Sequence, residues 1–150
     1  MTDAARTLLV ACVLSVLAGA AFVWRLRQFE PESHDRLIGE LRAANAAAIL
    51  LAATGASTIG FTLANAGADT AALEMALALL FVGGAGALFF RAPREALGLA
   101  ALAFVAHALV DLAHRPGALS VDVIPRWYLI GCALYDGCLA ALCFAARQRA

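Results

Sequence analysis

Five apolar runs, each about as long as a bilayer is thick, account for most of this chain. They lie at about residues 7–25, 43–64, 71–90, 95–114 and 127–146. A helix of about 20 apolar residues crosses a hydrocarbon core of roughly 30 Å. With 63% hydrophobic and only 15% charged residues, the chain lacks the polar surface of a soluble domain. The sequence therefore predicts an all-α, polytopic integral membrane helix bundle, with five spans in a single transmembrane domain over residues 1–150.

The first run could instead be a cleaved signal peptide, which would leave four spans. The small residues Ala18, Gly19 and Ala20 are compatible with cleavage. However, the side chains of the leading segment MTDAAR carry no net positive charge, and the run is longer than a usual signal core. We therefore expect the first span to be retained.

The segments between the runs contain residues that end or begin helices. Residues 28–42 include Pro31 and many charges, which predicts an exposed loop with a short amphipathic lead into the second span. Residues 65–70 predict a turn, and residues 91–95 allow only a tight connection between antiparallel neighbours. Glycines within the spans are expected to let helix backbones approach closely. These are Gly55, Gly60, Gly83, Gly84 and Gly86.

The basic residues, all of them arginine, predict the orientation of the bundle. Three fall on the side of the N-terminus and eight on the opposite side. The eight are Arg25, Arg27, Arg36, Arg42, Arg91, Arg94, Arg147 and Arg149. Because arginine collects on the inner face of a membrane, we expect a multi-pass protein of the cell membrane with its N-terminus outside and its C-terminus in the cytoplasm.

Polar residues within the last two spans form two stripes. His107, Asp111 and His114 follow each other at i, i+4 and i+7, so they lie within an arc of about 60° on the fourth span. The fifth span carries Tyr128, Cys132, Tyr135 and Asp136 on one side. Ionisable groups are costly in lipid and mark functional sites. The two stripes therefore identify the candidate site.

Pairing the antiparallel stripes predicts three polar rungs in the half of the membrane nearer the N-terminus. The rungs are His114 with Tyr128, Asp111 with Cys132, and His107 with Asp136. The last rung should lie about 10 to 14 Å below the helix ends. Glu74 of the third span and Asn65 after the second should lie near the same surface, and Arg126 could hold an anionic group or pair with Asp122.

A metal site is one interpretation of this cluster. Two imidazoles and carboxylates from neighbouring helices could bind Zn²⁺ or another divalent first-row metal. The predicted ligands are His107, Asp111, His114 and Asp136, with Glu74 as an alternative carboxylate. The H-E-x-x-H pattern of zinc helices is absent, so the spacing alone does not identify a metal.

Metal-free acid/base chemistry is a second interpretation. Burial and pairing act in opposite directions on a carboxylate and an imidazole, so the two groups could exchange a proton near neutral pH. An enzyme acting on a lipophilic or small substrate would then use His107, Asp111, Asp136 and Tyr135. A proton- or ion-coupled transport component is less well supported, since five spans are few and no inverted repeat is visible.

A non-catalytic subunit or assembly protein of a larger membrane complex is the third interpretation, because polar contacts between helices also serve assembly. Haem ligation by His107 would lack a second axial histidine on another span. A cavity reaching His107 would favour chemistry, whereas a closed contact would favour a scaffold.

The cysteines and the basic residues exclude two further classes. No C-x-x-C motif supports a thiol oxidoreductase, although Cys132 could be a soft metal ligand and Cys12 could lie at its depth. Cys138 and Cys143 read as small buried apolar residues. No basic patch with interleaved aromatics indicates nucleic acid, so the expected partners are the lipid bilayer and further membrane subunits, identical or different.

Overall fold

Five helices make up the computed structural model, which describes residues 3–114, 119 and 123–148. They are α1 (Asp3–Leu26), α2 (His34–Ala64), α3 (Ala71–Leu88), α4 (Pro93–Ala113) and α5 (Arg126–Arg147). Each is long and apolar enough to cross a membrane, which confirms the predicted all-α membrane bundle. We call the two ends of the bundle the N side, where α1 begins, and the C side, where α5 ends.

The start of α2 differs from the prediction. The helix begins at His34 instead of near residue 43, and the hydroxyl of Ser33 caps it by accepting a hydrogen bond from the Arg36 amide at 3.2 Å. Part of the segment expected to be an exposed loop is therefore helical, and Arg36 and Glu40 are each only 1% exposed. The prediction failed because these charges are paired inside the protein, whereas a hydropathy profile reads them as solvated.

A buried ionic contact holds the C side together, and we call Arg36, Glu40 and Arg94 the C-side clamp. Glu40 accepts hydrogen bonds from Arg36 Nε at 3.0 Å and from Arg94 Nε at 2.9 Å. The Arg36 guanidinium also donates to the carbonyl of Leu26 at 3.0 Å and to that of Gln148 at 2.7 Å. The clamp thus joins the end of α1, the start of α2, the start of α4 and the residue after α5.

Close packing of helix backbones is confirmed at Gly55 only. A Cβ atom at Gly55 would lie 2.9 Å from the side chain of Val82 and 3.1 Å from the carbonyl of Ala78, so α2 and α3 meet there. The other four predicted glycines would meet no described neighbour within 4 Å. They are Gly60, Gly83, Gly84 and Gly86. Their small size is not required by packing among the described residues.

Helix α1 lies at the periphery of the bundle. Only 6% of its most apolar window is buried inside the protein, compared with 44% for α5. Towards the C side Val23 and Leu26 belong to the main core, and halfway along the helix Ser15 Oγ lies 2.8 Å from Tyr135 OH of α5. Nearer the N side, α1 forms one wall of a cavity whose other walls come from α2 and α5.

Candidate functional site

The innermost predicted rung is present where α4 and α5 pack against each other. His107 Nδ1 lies 2.7 Å from Asp136 Oδ2 and 3.4 Å from Asp111 Oδ2. Asp111 stands one turn after His107 on α4, so the same helix presents both side chains to α5. The ring of Phe81 meets the imidazole edge to face at 4.6 Å and covers it from the side of α3.

Cys132 completes a group that we call the four-residue centre, made of His107, Asp111, Cys132 and Asp136. Its Sγ lies 3.7 Å from Asp136 Oδ2, and one potential ligand atom from each of the four residues lies within 4.8 Å of the others. The middle rung, Asp111 with Cys132, is therefore also present. All four residues are buried, and Asp136 is fully enclosed with 0% exposure.

Two carboxylate oxygens of the centre lack a hydrogen-bond partner among the described residues, although one of them, Asp111 Oδ2, lies 3.4 Å from His107 Nδ1. Asp111 Oδ2 and Asp136 Oδ1 are buried and accept no hydrogen bond from the described residues. A buried polar atom left unpaired costs about 1–3 kcal/mol, and more when the group is charged. A protonated His107 would balance only one of the two carboxylates. The centre therefore calls for an additional positive charge.

A divalent metal fits this set of donors. One imidazole nitrogen, one thiolate sulfur and two carboxylate oxygens are ligands of Zn²⁺ and of other first-row metals, with bonds of about 2.0–2.3 Å. In the tetrahedral arrangement that Zn²⁺ prefers, two ligand atoms lie about 3.3 to 3.8 Å apart at these bond lengths. The ligand atoms of the centre lie up to 4.8 Å apart. Side chains would therefore have to move inward by about 1 Å to bring all four onto one ion.

The outermost predicted rung is wrong. His114 Nε2 lies 2.8 Å from Glu74 Oε1 of α3 instead of near Tyr128, whose ring packs against Phe61 at 4.8 Å. Helix α4 ends at Ala113, and the imidazole of the following His114 points to Glu74 of α3 instead of to α5. The structure therefore does not bring His114 or Glu74 into the four-residue centre.

The remaining predicted pocket residues lie around the N side. Asn65 Nδ2 donates to the carbonyls of Phe61 and Val123, at 2.9 and 3.1 Å, and fastens the end of α2 to the segment before α5. Arg126 begins α5 and is exposed. Its proposed partner Asp122 lies outside the described residues. Asn65 and Arg126 therefore lie on the N side but outside the four-residue centre.

A cavity of about 450 Å³ opens between α1, α2 and α5 on the N side. Its lining includes Tyr128, Cys132 and Tyr135 of α5 together with Cys12 and Ser15 of α1. His107, Asp111 and Asp136 do not line it, so the cavity reaches Cys132 and not His107. The contact behind Cys132 is closed, which is the arrangement expected of a scaffold rather than of an open catalytic site. Cys132 is thus the residue shared by the cavity and the four-residue centre. The sequence placed the candidate site mainly between the fourth and fifth spans, whereas the cavity lies between α1, α2 and α5. Of the stripe predicted on the fifth span, Tyr128, Cys132 and Tyr135 do line it.

No protein-family model matches the chain, and neither a curated protein nor a solved structure shows significant similarity to it. Its function must therefore be inferred from its own residues.

Proposed function

We propose that the protein is a small membrane metalloenzyme. Its four-residue centre would bind Zn²⁺ or another divalent first-row metal, and its substrate would be a lipophilic molecule taken from the bilayer. The observation that carries this proposal is the pair of buried carboxylate oxygens, on Asp111 and Asp136, that lack a hydrogen-bond partner among the described residues. Their side chains stand beside an imidazole and a thiol, and one potential ligand atom from each of the four residues lies within 4.8 Å of the others.

The donor set, and not the charge balance, favours a metal over metal-free acid/base chemistry. Without a metal, one proton on His107 and one on a carboxyl group would already leave the centre neutral. A divalent ion would bind the imidazole, both carboxylates and the thiolate of Cys132 together, with one negative charge in excess. When bound, such an ion supplies a Lewis acid that polarises an oxygen atom of a substrate.

The position of Cys132 supports an enzyme over a purely structural metal site. Structural zinc sites are closed by four protein ligands, whereas catalytic sites offer a further position to a water or a substrate. Here three ligands lie behind the cavity and the fourth, Cys132, lies on its wall, so a substrate would have to add as a fifth ligand or displace Cys132. A substrate in the cavity would therefore approach the ion from the side of the thiol.

Metal analysis of the purified protein tests the proposal. We expect about one equivalent of a divalent metal in protein prepared without chelators, and loss of most of it in His107→Ala and Cys132→Ser. His114→Ala is the matched control for the first variant, because His114 lies on the same helix but bonds to Glu74. Cys138→Ser is the control for the second, since Cys138, which was predicted to be buried, is an exposed thiol of α5. Both controls should retain the metal.

Cobalt substitution adds a spectroscopic test that does not require the native metal to remain bound to the protein during purification. A thiolate bound to Co²⁺ gives a sulfur-to-metal charge-transfer band, which should appear in the wild type and vanish in Cys132→Ser. Protein that binds neither native metal nor Co²⁺ would contradict the metalloenzyme. The buried contacts would then be those of a non-catalytic subunit or of a transport component.

A further inference from the structure

The residues that line the cavity between α1, α2 and α5 determine which class of ligand it can bind. We propose that it binds an uncharged lipid with a free hydroxyl group, a lipid alcohol, with that hydroxyl beside Cys132. The identification of this alcohol as a substrate rests on the proposed function. Its binding in the cavity does not.

The absence of charge in the wall excludes ionic head groups. None of the described residues that line the cavity carries a charged side chain, and much of the surface comes from leucines such as Leu8, Leu9 and Leu50. A phosphate, carboxylate or ammonium group placed there would lose its hydration without gaining a counter-ion, at a cost of several kcal/mol. The ligand must therefore be neutral in the part that enters.

The hydroxyl groups of the wall face the cavity as hydrogen-bond acceptors. Thr54 donates its single hydroxyl hydrogen to the carbonyl of Leu51 at 2.9 Å. Ser57 likewise donates to Ala53 at 2.9 Å. Each oxygen then has only lone pairs left for a ligand.

Tyr135 and Ser15 extend this acceptor surface. Ser15 Oγ donates to the carbonyl of Cys12 at 3.0 Å, so Tyr135 must be the donor in the 2.8 Å contact between the two hydroxyls. Both hydrogens are then used inside the protein, and both oxygens can still accept. A ligand that complements this wall must bring a donor of its own, which a hydroxyl does and an ether or ester does not.

The remaining donor lies at the N-side end of the cavity. The indole of Trp127 stands in the first turn of α5, about 12 Å along the helix axis from Tyr135. The hydroxyl of Tyr128, in contrast, interacts with Ser57 and with Cys132 inside the protein. Because Cys132 lies between Tyr128 and Tyr135 on α5, the acceptor surface adjoins the one residue of the four-residue centre that lines the cavity, and the hydroxyl of the ligand is directed to it.

The size of the cavity and the position of α1 suit a lipid. About 450 Å³ is within the usual range of small-molecule sites, about 300–1,000 Å³. Its α1 wall is the least buried helix, with 6% of its window inside the protein. A ligand can therefore enter sideways from the bilayer between α1 and its neighbours.

Photo-crosslinking with a diazirine-bearing hexadecanol tests the proposal, with the matching fatty acid and methyl ether as comparison probes. We expect the alcohol to label peptides of α1 and α5 that line the cavity. The ether, which lacks the donor, should bind about 3- to 10-fold more weakly, as expected for one lost hydrogen bond, and the acid should bind more weakly still.

Two glycines of α5 give a matched pair of variants. A Cβ at Gly131 or at Gly137 would meet nothing within 4 Å, so both positions have room for a larger side chain. Gly131 lines the cavity and Gly137 does not. Gly131→Leu should lower labelling by the alcohol about tenfold or more, and Gly137→Leu should leave it unchanged.

Protection of Cys12 from an uncharged maleimide gives a measurement without a variant. Hexadecanol should slow the labelling of Cys12, which lines the cavity, and should not affect the exposed Cys138. Equal labelling of Gly131→Leu and Gly137→Leu, equal binding of alcohol and ether, or no protection of Cys12 would overturn the proposal.

Chelator-treated protein separates this proposal from the metalloenzyme. Cavity-dependent binding of the alcohol in metal-free protein supports the lipid site even if the metal assays fail. Loss of the difference between the two glycine variants overturns the lipid site even if the metal assays succeed.

Discussion

His114 and Glu74 share one proton across the interface between α3 and α4. His114 Nδ1 lies 2.9 Å from the carbonyl of Val110, which can only accept, so this nitrogen carries a hydrogen. The 2.8 Å contact between His114 Nε2 and Glu74 Oε1 then requires one further proton between them. Whichever atom holds it, the pair has no net charge. This neutrality explains how two ionisable side chains, each 1% exposed, are tolerated inside the bundle.

A glutamine should replace Glu74 with little loss of stability. Its amide can donate to the unprotonated Nε2 of a neutral His114, so the hydrogen bond survives without the shared proton. We expect Glu74→Gln to lose less than about 1 kcal/mol, whereas Glu74→Leu leaves the buried nitrogen unpaired and loses about 1–3 kcal/mol. Thermal unfolding in detergent measures both.

Glu95→Gln is the control for this pair of variants, because Glu95 forms an exposed contact with Arg91 at 3.2 Å. It should change stability by less than about 0.5 kcal/mol. Equal losses in Glu74→Gln and Glu74→Leu would show that the hydrogen bond to His114 is not what holds Glu74 in place.

Removal of the Arg36 guanidinium should be the most damaging change in the C-side clamp. It leaves Glu40 buried beside a single partner and releases the carbonyls of Leu26 and Gln148. Breaking a buried ion pair costs about 3–5 kcal/mol, so we expect Arg36→Met to lose an amount of that order.

Arg94→Met gives the comparison within the clamp. The Arg94 side chain is 29% exposed, and solvent can compensate part of its loss, so we expect about 1 kcal/mol or less. Urea unfolding of both variants, followed by tryptophan fluorescence, gives the two values. A loss for Arg94→Met as large as that for Arg36→Met would contradict the assignment of Arg36 as the central residue.

Asp111→Asn should change stability in opposite directions with and without metal. In metal-loaded protein the change removes a ligand, and the melting temperature should fall together with metal content. In chelator-treated protein it removes one of two buried carboxylates that lack full pairing, so the melting temperature should stay level or rise. Melting curves with and without chelator test the sign.

Asp69→Asn provides the control, since Asp69 lies exposed in the turn between α2 and α3. Its melting temperature should not respond to the chelator differently from that of the wild type. A fall in the melting temperature of Asp111→Asn in metal-free protein, equal to its fall in loaded protein, would indicate that Asp111 is structural and not a ligand.

The spans and two of the three rungs could be predicted because both follow from helix periodicity. The apolar runs predicted the helices. Facing positions on two antiparallel helices have a nearly constant sum of residue numbers, which paired His107 with Asp136 and Asp111 with Cys132. His114 escaped this reasoning because its partner Glu74 belongs to a third helix, which a calculation on two helices does not include.

The C-side clamp and the cavity could not be predicted for a different reason. Arg36 and Glu40 are charged residues in a polar segment, so the sequence predicts that they are exposed. They are buried because α1, α4 and the residue after α5 approach them. The cavity depends on how α1 lies beside α2 and α5, which is a property of packing and not of the local sequence. Structural features that depend on one or two helices could therefore be predicted from the sequence, whereas features that depend on three helices could not.

The orientation of the bundle is the last prediction, and it decides on which side the four-residue centre lies. Eight arginines on the C side against three on the N side favour a cytoplasmic C-terminus. Burial of Arg36 in the clamp does not weaken this count, because the bias acts on arginines near the span ends during insertion. We expect phosphatase fused to the N-terminus to be active and a fluorescent protein fused to the C-terminus to fluoresce. Termini on the same side would contradict five retained spans. The reverse pattern would keep the five spans but place the centre and its cavity in the cytoplasmic leaflet.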